Sequence, residues 1–343
     1  MNTSVSDARR RIERTLRTVG GSHRLAALSS PQLEASMTAA DMKDTADFKY
    51  ESYTKLPTFT PAHKSLMSKL LTEDKFEALK GLKTAKGYTL SNAIQTGVKT
   101  PHLGVGITAG DEESWTLFQD ILYPVIKGWH GYDPETGSHK RDLDPSHVVF
   151  TAEQAKVFDK YVVSTRIRAA RNISGYALPA GTSSADRASV ESVLCKSFDA
   201  FEGELRGKYY PLGGMSNDTR DFLLKNGYLF QIPKQSNLLW HAGAAREWPN
   251  NRGIFYNEAQ TALCWVNEED HCRIISMENG GNVKSVFTRF CSISKTLSKV
   301  AEQQGTKLMY DAKLGFLGTC PSNLGTGLRA SVMVRKKCAC FRK

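Results

Sequence analysis

The sequence predicts an α+β fold in which a small all-helical N-terminal domain precedes an antiparallel β-sheet domain flanked by helices. Apolar residues recur at helical spacing over residues 62–83 and 111–128. Beyond residue 160, β-branched residues form short runs that are separated by turns. A long amphipathic segment, residues 282–304, predicts a helix that packs on this sheet.

A turn-rich connector predicts the domain boundary. The chain has 343 residues, which suits about two domains. Residues 131–147 are rich in glycine, proline and aspartate and show no periodic apolar pattern. We therefore expect a basic, flexible extension over 1–45, a helical domain over 46–140 and the sheet domain over 150–343.

The individual elements follow from local signals. Residues 62–83 are predicted as one helix that restarts at Thr72, and residues 111–128 as another helix with Asp111 as its N-cap. In the sheet domain, strands are predicted at residues 161–168, 261–267, 273–277, 316–320 and 328–334.

The net charge of +11 raises the question of an anionic partner. Lysine and arginine are spread along the whole chain, and no zinc-finger or RNA-binding signature accompanies them. We therefore expect a small anionic substrate and no nucleic acid. Because no apolar run approaches about 20 residues, we expect no transmembrane segment. The sequence leaves a homodimer open.

The first 45 residues bear on localisation. Their frequent arginines and helically spaced apolar residues are typical of a mitochondrial transit peptide, although Asp7 and Glu13 suit a disordered basic arm instead. The odd number of cysteines, seven, and the lack of a secretory signal peptide favour a reducing compartment. We expect a cytoplasmic protein, with a mitochondrial location as the alternative.

Two arginines share one face of the strand over 161–168. Arg166 and Arg168 alternate with apolar residues, and Ser164 shares their face. Like charges repel each other on a sheet, and arginine suits bidentate binding of phosphate, so the pair predicts an anionic ligand. A salt-bridged surface patch would account for the pair equally well.

Three consecutive carboxylates, Glu268, Glu269 and Asp270, occupy the turn between two predicted strands. Their repulsion would be relieved by a cation, either a guanidinium or Mg²⁺ held through water. A solvated acidic turn is the alternative.

A glycine-rich segment over 318–332 contains Cys320, directly before Pro321 and close in sequence to Arg329. The glycines allow the backbone to approach a ligand closely. A cysteine at a strand end near an arginine suits a thiolate.

Together these stretches resemble the phosphagen kinases, the ATP:guanidino phosphotransferases that include arginine kinase and creatine kinase. The matching motifs are Ser-Thr-Arg-Ile-Arg at 164–168, Asn-Glu-Glu-Asp-His at 267–271 and Cys-Pro-Ser-Asn-Leu-Gly-Thr-Gly-Leu-Arg at 320–329, in family order and spacing. The resemblance covers residues 60–335 and implies a glutamine-synthetase-like guanidino kinase catalytic domain. It further implies ATP or ADP, Mg²⁺ and a small guanidino substrate.

The resemblance implies which residues bind the nucleotide. Arginines at the positions of Arg166, Arg168, Arg273 and Arg329 hold the phosphates in the family, and Ser164 joins them.

The resemblance also implies the catalytic residues. Glu269 would pair with the substrate guanidinium and act as the base, while Glu268 and Asp270 would support it and the water shell of Mg²⁺. Cys320, as a thiolate, would orient the guanidinium. No protein side chain is expected to bind the metal directly.

Residues 100–108 match the substrate-specificity loop of the family, with Gly104, Val105, Gly106 and Thr108 as the substrate-binding residues. The short loop resembles that of arginine kinases, so arginine is the favoured acceptor. The Cys-Pro-Ser-Asn segment resembles that of creatine kinases and keeps creatine or taurocyamine open.

The sequence also departs from the family. Gly227 and Met333 stand where a histidine is usual near the nucleotide base, and Trp129 stands where the family varies with its substrate. The family continues well beyond the position of Val334 with a mobile lid loop, so we expect a catalytic domain that is incomplete at its C-terminus. A truncated, catalytically inactive relative that acts in binding is the alternative function.

Overall fold

The computed structural model describes Thr45, residues 48–233 and residues 238–335. The predicted N-terminal extension therefore lies outside the described residues, apart from Thr45. A helical part followed by an antiparallel sheet with flanking helices confirms the predicted α+β fold.

Short helices form the first part of the chain. They are α1 (Leu66–Leu70), α2 (Glu73–Leu79), α3 (Leu90–Lys99), α4 (Ser114–Leu117) and α5 (Gln119–His130). Side-chain caps start several of them, because a hydroxyl oxygen accepts an otherwise unpaired backbone N–H.

The predicted helix over 62–83 is two helices. Leu71 is extended, with φ −82° and ψ 94°, and the Thr72 side chain accepts a hydrogen bond from the N–H of Lys75 to start α2. The predicted helix over 111–128 is likewise divided, because Phe118 leaves the helical conformation. Asp111 accepts the N–H of Ser114 at 2.8 Å, as a cap would, although α4 begins only at Ser114.

The remaining described helices lie in the second part of the chain. They are α6 (Ala152–Tyr161), α7 (Ser184–Asp199), α8 (Asn217–Lys225), α9 (Leu238–His241) and α10 (Val283–Gln303). The sequence predicted α10, and Asn282 caps its N-terminus by accepting the N–H of Ser285 at 3.1 Å. It did not predict the other four.

The main sheet has six strands, which are antiparallel throughout. They are β1 (Val162–Arg171), β2 (Gly207–Pro211), β3 (Gly253–Asn257), β4 (Ala262–Val266), β5 (Cys272–Asn279) and β8 (Leu328–Val334), in the spatial order β2-β3-β4-β5-β1-β8. Four of them match predicted strands. The short strands β6 (Tyr310–Asp311) and β7 (Gly315–Phe316) pair separately.

The predicted strand over 316–320 was wrong beyond Phe316. The N–H of Thr319 donates to a side-chain oxygen of Asp270 at 2.9 Å, not to a neighbouring strand. The segment that carries Cys320 is therefore a loop that a buried carboxylate holds in place.

Two hydrophobic cores support the molecule. One lies between the sheet and helices α7 and α10, and includes Ile167, Phe255 and Phe290. The other fills the helical part and also contains Leu317 and Cys320 from the loop before β8. Since residues from both parts share this second core, the boundaries predicted at 46–140 and 150–343 stay predictions. No helix in the described ranges has the length and apolar character that a membrane span requires.

The close approach of α3 to the loop after it makes a test of the fold. A Cβ atom added at Gly97 would lie 2.3 Å from the carbonyl oxygen of Gly106. Although alanine is preferred to glycine inside a helix by about 1 kcal/mol, we expect Gly97→Ala to destabilise the protein by roughly 1–3 kcal/mol, because the backbone must shift. Urea denaturation measures the free energy of unfolding.

Gly81→Ala is the matched control, because a Cβ atom at Gly81 would meet no atom within 4 Å. Equal stability of the two variants would contradict the close packing.

Candidate functional site

Four arginines from three neighbouring strands stand on one face of the sheet. Arg168 of β1 lies directly opposite Arg329 of β8, and Ala170 lies opposite Arg273 of β5. Opposite residues share a face, and so do alternate residues of one strand, which adds Arg166 to the group. The structure thus brings together the four arginines that the sequence singled out.

Three of these arginines, Arg166, Arg168 and Arg329, are not neutralised by carboxylates within the described residues. Burial lowers the pKa of Arg166 and of Arg168, and the charges of Arg273 and Arg329 lower both further. Among the described residues, no carboxylate forms an ion pair with Arg166, Arg168 or Arg329, and the Nε atom of Arg166 is buried without a partner. Clustered cations repel each other, and a bound anion would relieve this repulsion. The face therefore favours an anionic ligand and is not a salt-bridged patch.

Ser164 extends the arginine face toward the start of β1. It lies opposite Met333 of β8 and opposite Asn279 of β5, two residues from Arg166 on the same face. Met333, which replaces the histidine usual in the family, is exposed there.

The acidic turn lies at one end of this face. The N–H of Asn267 donates to the carbonyl of His271 at 2.9 Å and closes the turn between β4 and β5. Arg273 pairs with Glu268 at 3.3 Å and also with Glu269. Burial alone would lower the pKa of Arg273, but the carboxylates of the turn raise it above its ordinary value. The turn is thus anchored to the cationic face and is not a solvated loop.

Glu269 is the carboxyl group with the chemistry of a base. Burial raises its pKa to about 7, and Asp270 and Glu268 contribute to the increase, while Arg273 opposes it. A carboxyl group whose pKa lies near neutrality can both accept and return a proton.

The predicted support of a metal's water shell by Asp270 stays a prediction, because its Oδ2 atom has no hydrogen-bond partner among the described residues. Asp270 is fully buried, and its Oδ1 atom accepts hydrogen bonds from Asn172 and from the N–H of Thr319, each at 2.9 Å. Asp270 thus holds the loop before Cys320 in place. The sequence did not predict this contact, because its partners are distant in sequence. Within the described residues, no group of three or more His, Cys, Asp or Glu side chains could hold a metal ion.

Cys320 lies beside Glu269, and its surroundings favour the neutral thiol over the thiolate. Burial raises the pKa of its sulfur to about 12, and the Glu269 carboxylate adds to the increase. Within the described residues, the surroundings of the sulfur favour the thiol, and a thiolate beside a bound guanidinium stays a prediction. Asn323 donates to Glu269 at 3.3 Å, and the Cys320 sulfur lies 3.1 Å from the Ser322 hydroxyl. These contacts bring the cysteine segment against the acidic turn.

The predicted substrate loop is attached to helix α1 and to the cysteine loop. The N–H groups of Leu66 and Met67 donate to the carbonyls of Gly104 and Val105 at 2.8 Å and 3.1 Å. Further on, the N–H of Ala109 donates to the carbonyl of Thr319 at 2.8 Å. The loop is therefore joined to the residue directly before Cys320.

Not every predicted substrate-binding residue presents its side chain to the site. Gly106 adopts a positive φ of 77° next to Gly97, which a residue with a side chain would rarely adopt. Thr108 is buried, and its hydroxyl is 3.0 Å from that of Tyr88. The hydroxyl of Thr108 is therefore used inside the helical core, and the binding of substrate at Thr108 stays a prediction.

Sequence reasoning named Trp129 as a position that varies with substrate, but it missed two other residues that position the site, His130 and Asn172. The ring of His130 lies 2.8 Å from the carbonyl of Pro321, and the Trp129 ring packs directly on Gly104. Asn172 follows β1 and contacts the acidic turn and the cysteine loop at once. The available sequence signal for Asn172 was its position directly after a strand that carries arginines. This signal was insufficient, because the hydrogen-bond partners of Asn172 are distant in sequence.

Comparisons with known proteins agree with this geometry. Residues 189–336 match the model of the ATP:guanido phosphotransferase C-terminal catalytic domain, and residues 61–127 match that of the N-terminal domain. Creatine kinase M-type from Gallus gallus is 42% identical over 277 residues, which cover 80% of this chain and 72% of that protein. The testis isozyme of creatine kinase from Oncorhynchus mykiss is 41% identical over 277 residues, which cover 80% and 71%.

Solved structures show the same similarity. The crystal structure of lombricine kinase matches with a TM-score of 0.77 at 37% identity, over 84% of this chain and 78% of that chain. The substrate-free duplicated taurocyamine kinase from Schistosoma mansoni matches with a TM-score of 0.73 at 30% identity, over 87% of this chain and 40% of that chain. The similarity thus extends over both the helical part and the sheet.

The pH dependence of stability tests the buried carboxyl of Glu269. Because its pKa is about 7 instead of the ordinary 4.5, the folded protein binds more protons than the unfolded chain between these values. The free energy of unfolding should therefore fall as the pH rises through this window, by at most ~3 kcal/mol, and Glu269→Gln should lack this contribution.

Urea denaturation at about pH 5 and about pH 8 measures this contribution for both proteins. A stability difference between wild type and Glu269→Gln that is the same at both pH values would contradict the raised pKa.

Proposed function

Because this chain belongs to the ATP:guanido phosphotransferase family, we propose that it transfers the γ-phosphoryl group of ATP reversibly to a small guanidino compound, as in phosphagen energy buffering. The observation that carries the proposal is the face of four arginines, three of which have no acidic partner among the described residues, with Glu269 and Cys320 at its end. Such a site joins an anion-binding surface to a carboxyl group that can accept a guanidinium.

The arginine face would bind the nucleotide phosphates. Within the part of the chain that the structure describes, Arg166, Arg168 and Arg329 have no acidic partner, so a polyphosphate would supply the missing negative charge. Their planar guanidinium groups can donate paired hydrogen bonds to phosphate oxygens. Since charge spreads over the transferred phosphoryl group in the transition state, these donors would stabilise that state as well as the bound nucleotide.

Mg²⁺ fits this arrangement as a partner of the nucleotide. It would neutralise part of the phosphate charge when bound. Glu268 is the turn carboxylate best suited to contact its water shell, because Asp270 is fully buried and both of its donors come from the protein interior. Glu268 shares its own carboxylate with Arg273 at 3.3 Å.

Glu269 would hold the acceptor and take its proton. A guanidinium is a poor nucleophile because its charge is delocalised, so one nitrogen must lose a proton as it attacks phosphorus. Glu269, with a pKa of about 7, suits this transfer near neutral pH. Cys320 and the loop joined to Thr319 would align that nitrogen, and alignment of two bound reactants is a large part of the rate enhancement.

For the acceptor we propose arginine first. The short substrate loop over 100–108 supports it, because it resembles the loop of arginine kinases. Creatine is the second candidate, which the 41% and 42% identity to creatine kinases favours.

The decisive experiment is phosphoryl transfer from Mg-ATP by the full chain, with arginine, creatine, taurocyamine and lombricine as parallel acceptors. We expect turnover with arginine. Turnover with creatine alone would correct the acceptor and keep the function. Absence of turnover with all four, from folded protein that still binds Mg-ADP, would support a non-catalytic relative instead.

Arg168→Ala tests the phosphate-binding face. We expect a loss of roughly 100- to 1,000-fold in kcat, because one preorganised donor to the transferring phosphoryl group is removed. Steady-state kinetics with Mg-ATP and the active acceptor measure the loss.

Arg206→Ala is the matched control, since Arg206 is an exposed arginine of the same domain, next to β2. Loss of activity in the control, or a change in Arg168→Ala no larger than about threefold, would contradict the assigned role.

A further inference from the structure

Asn172 lies where three segments of the site meet. It is fully buried and follows the last residue of β1, the strand that carries Arg166 and Arg168. Its Nδ2 atom donates to Oδ1 of Asp270 and to the carbonyl of Leu317, each at 2.9 Å. Its Oδ1 atom accepts the N–H of His271 at 2.7 Å. One amide group therefore joins the end of β1, the acidic turn and the cysteine loop.

The orientation of this amide follows from its partners. The Leu317 carbonyl can only accept a hydrogen bond, and the His271 N–H can only donate one. Reversing the amide would lose both contacts and would place its oxygen against a carboxylate. Both Nδ2 hydrogens and one oxygen lone pair are thus used, and a carboxylate, a hydroxyl or an alkyl group could not supply the same set.

The hydrogen bonds continue from Asn172 into the substrate loop. Asp270 accepts from Asn172 and from the Thr319 N–H, and the Thr319 carbonyl accepts from the Ala109 N–H at 2.8 Å. Space around this path is tight, because a Cβ atom added at Gly318 would lie 2.9 Å from Oδ1 of Asp270. A displacement of Asn172 would therefore move Asp270 and Thr319, the direct neighbours of Glu269 and Cys320.

We propose that Asn172 is a positioning residue that sets the distance between the Glu269 carboxyl group and the Cys320 sulfur, and so the alignment of the guanidino group between them. The role rests on the proposed function. Asn172 touches neither reactant, since its side chain is enclosed by protein groups. Its effect is therefore on the turnover step and not on nucleotide binding, which the arginine face supports.

The chain offers a matched control in Asn257. This asparagine is also fully buried, and it donates to the carbonyl of Glu204 and the hydroxyl of Thr261 at 2.8 Å and 3.0 Å. Its oxygen accepts the N–H groups of Thr261 and Ala262, each at 2.8 Å. It is the last residue of β3, outside the site, so its replacement removes a comparable set of hydrogen bonds without disturbing the site.

The kinetic arm compares Asn172→Ala with Asn257→Ala in the full chain. For Asn172→Ala we expect kcat to fall roughly 10- to 100-fold, with KM for the nucleotide within about threefold of wild type, because misalignment costs rate more than binding. Asn257→Ala should lose stability but keep kcat within about threefold. If Asn172→Ala does not fold, Asn172→Ser, whose hydroxyl can still donate one hydrogen bond, takes its place.

The second arm does not depend on turnover. Iodoacetamide labelling of Cys320, followed by peptide mass spectrometry, reports how firmly the buried thiol is held. We expect the rate to rise about tenfold in Asn172→Ala and to stay unchanged in Asn257→Ala, because local opening of the loop exposes the sulfur.

These arms separate the two hypotheses. A wild-type protein without turnover would contradict the proposed function, while the labelling arm would still decide the role of Asn172. Unchanged labelling in folded Asn172→Ala, or equal loss of kcat in both variants, would overturn the inference.

Discussion

The pairing register of β1 with its two neighbours is the constraint on which the site depends. Side chains alternate between the faces of a strand, so a slip of one residue would send Arg166 and Arg168 into the core against α10. The residues between them, Thr165, Ile167 and Ala169, are almost fully buried on that opposite side. Burial of these side chains therefore holds the arginines on the open face. The favourable free energy of this burial offsets the repulsion among the arginines.

Much of this arrangement follows from local patterns in the sequence. Alternation over 161–168 predicted β1 and the face that carries its arginines, and the amphipathic pattern over 282–304 predicted α10. The residues between 184 and 257 gave no comparably clear pattern, because the buried face of helix α7 includes the polar residues Arg187 and Ser197, and because β2 and β3 are short. Local patterns predict structure weakly where polar side chains are buried or strands are short.

The site residues divide in the same way. Arg166, Arg168, Arg273 and Arg329 were predicted from strand alternation and the family motifs, and they do lie together. The surroundings of Thr108, Asp270 and Cys320 were not predicted, since they depend on residues that are brought close only in three dimensions. Tyr88 takes the hydroxyl of Thr108, and Asn172 and Thr319 take the carboxylate of Asp270, and these partners are far away in sequence.

The hydrogen bond between Ala109 and Thr319 makes one mechanical unit of two segments that a sequence alignment treats as separate. An acceptor that displaces the predicted substrate loop would also displace the loop that bears the thiol. The way the acceptor's tail fits against the first loop would thereby affect the alignment of its reacting nitrogen. Discrimination among guanidino compounds of different length should then be expressed in the speed of the reaction more than in the tightness of binding. An enzyme of this design can accommodate a new acceptor by changing how the coupled loops move together, with every group that does the chemistry left in place.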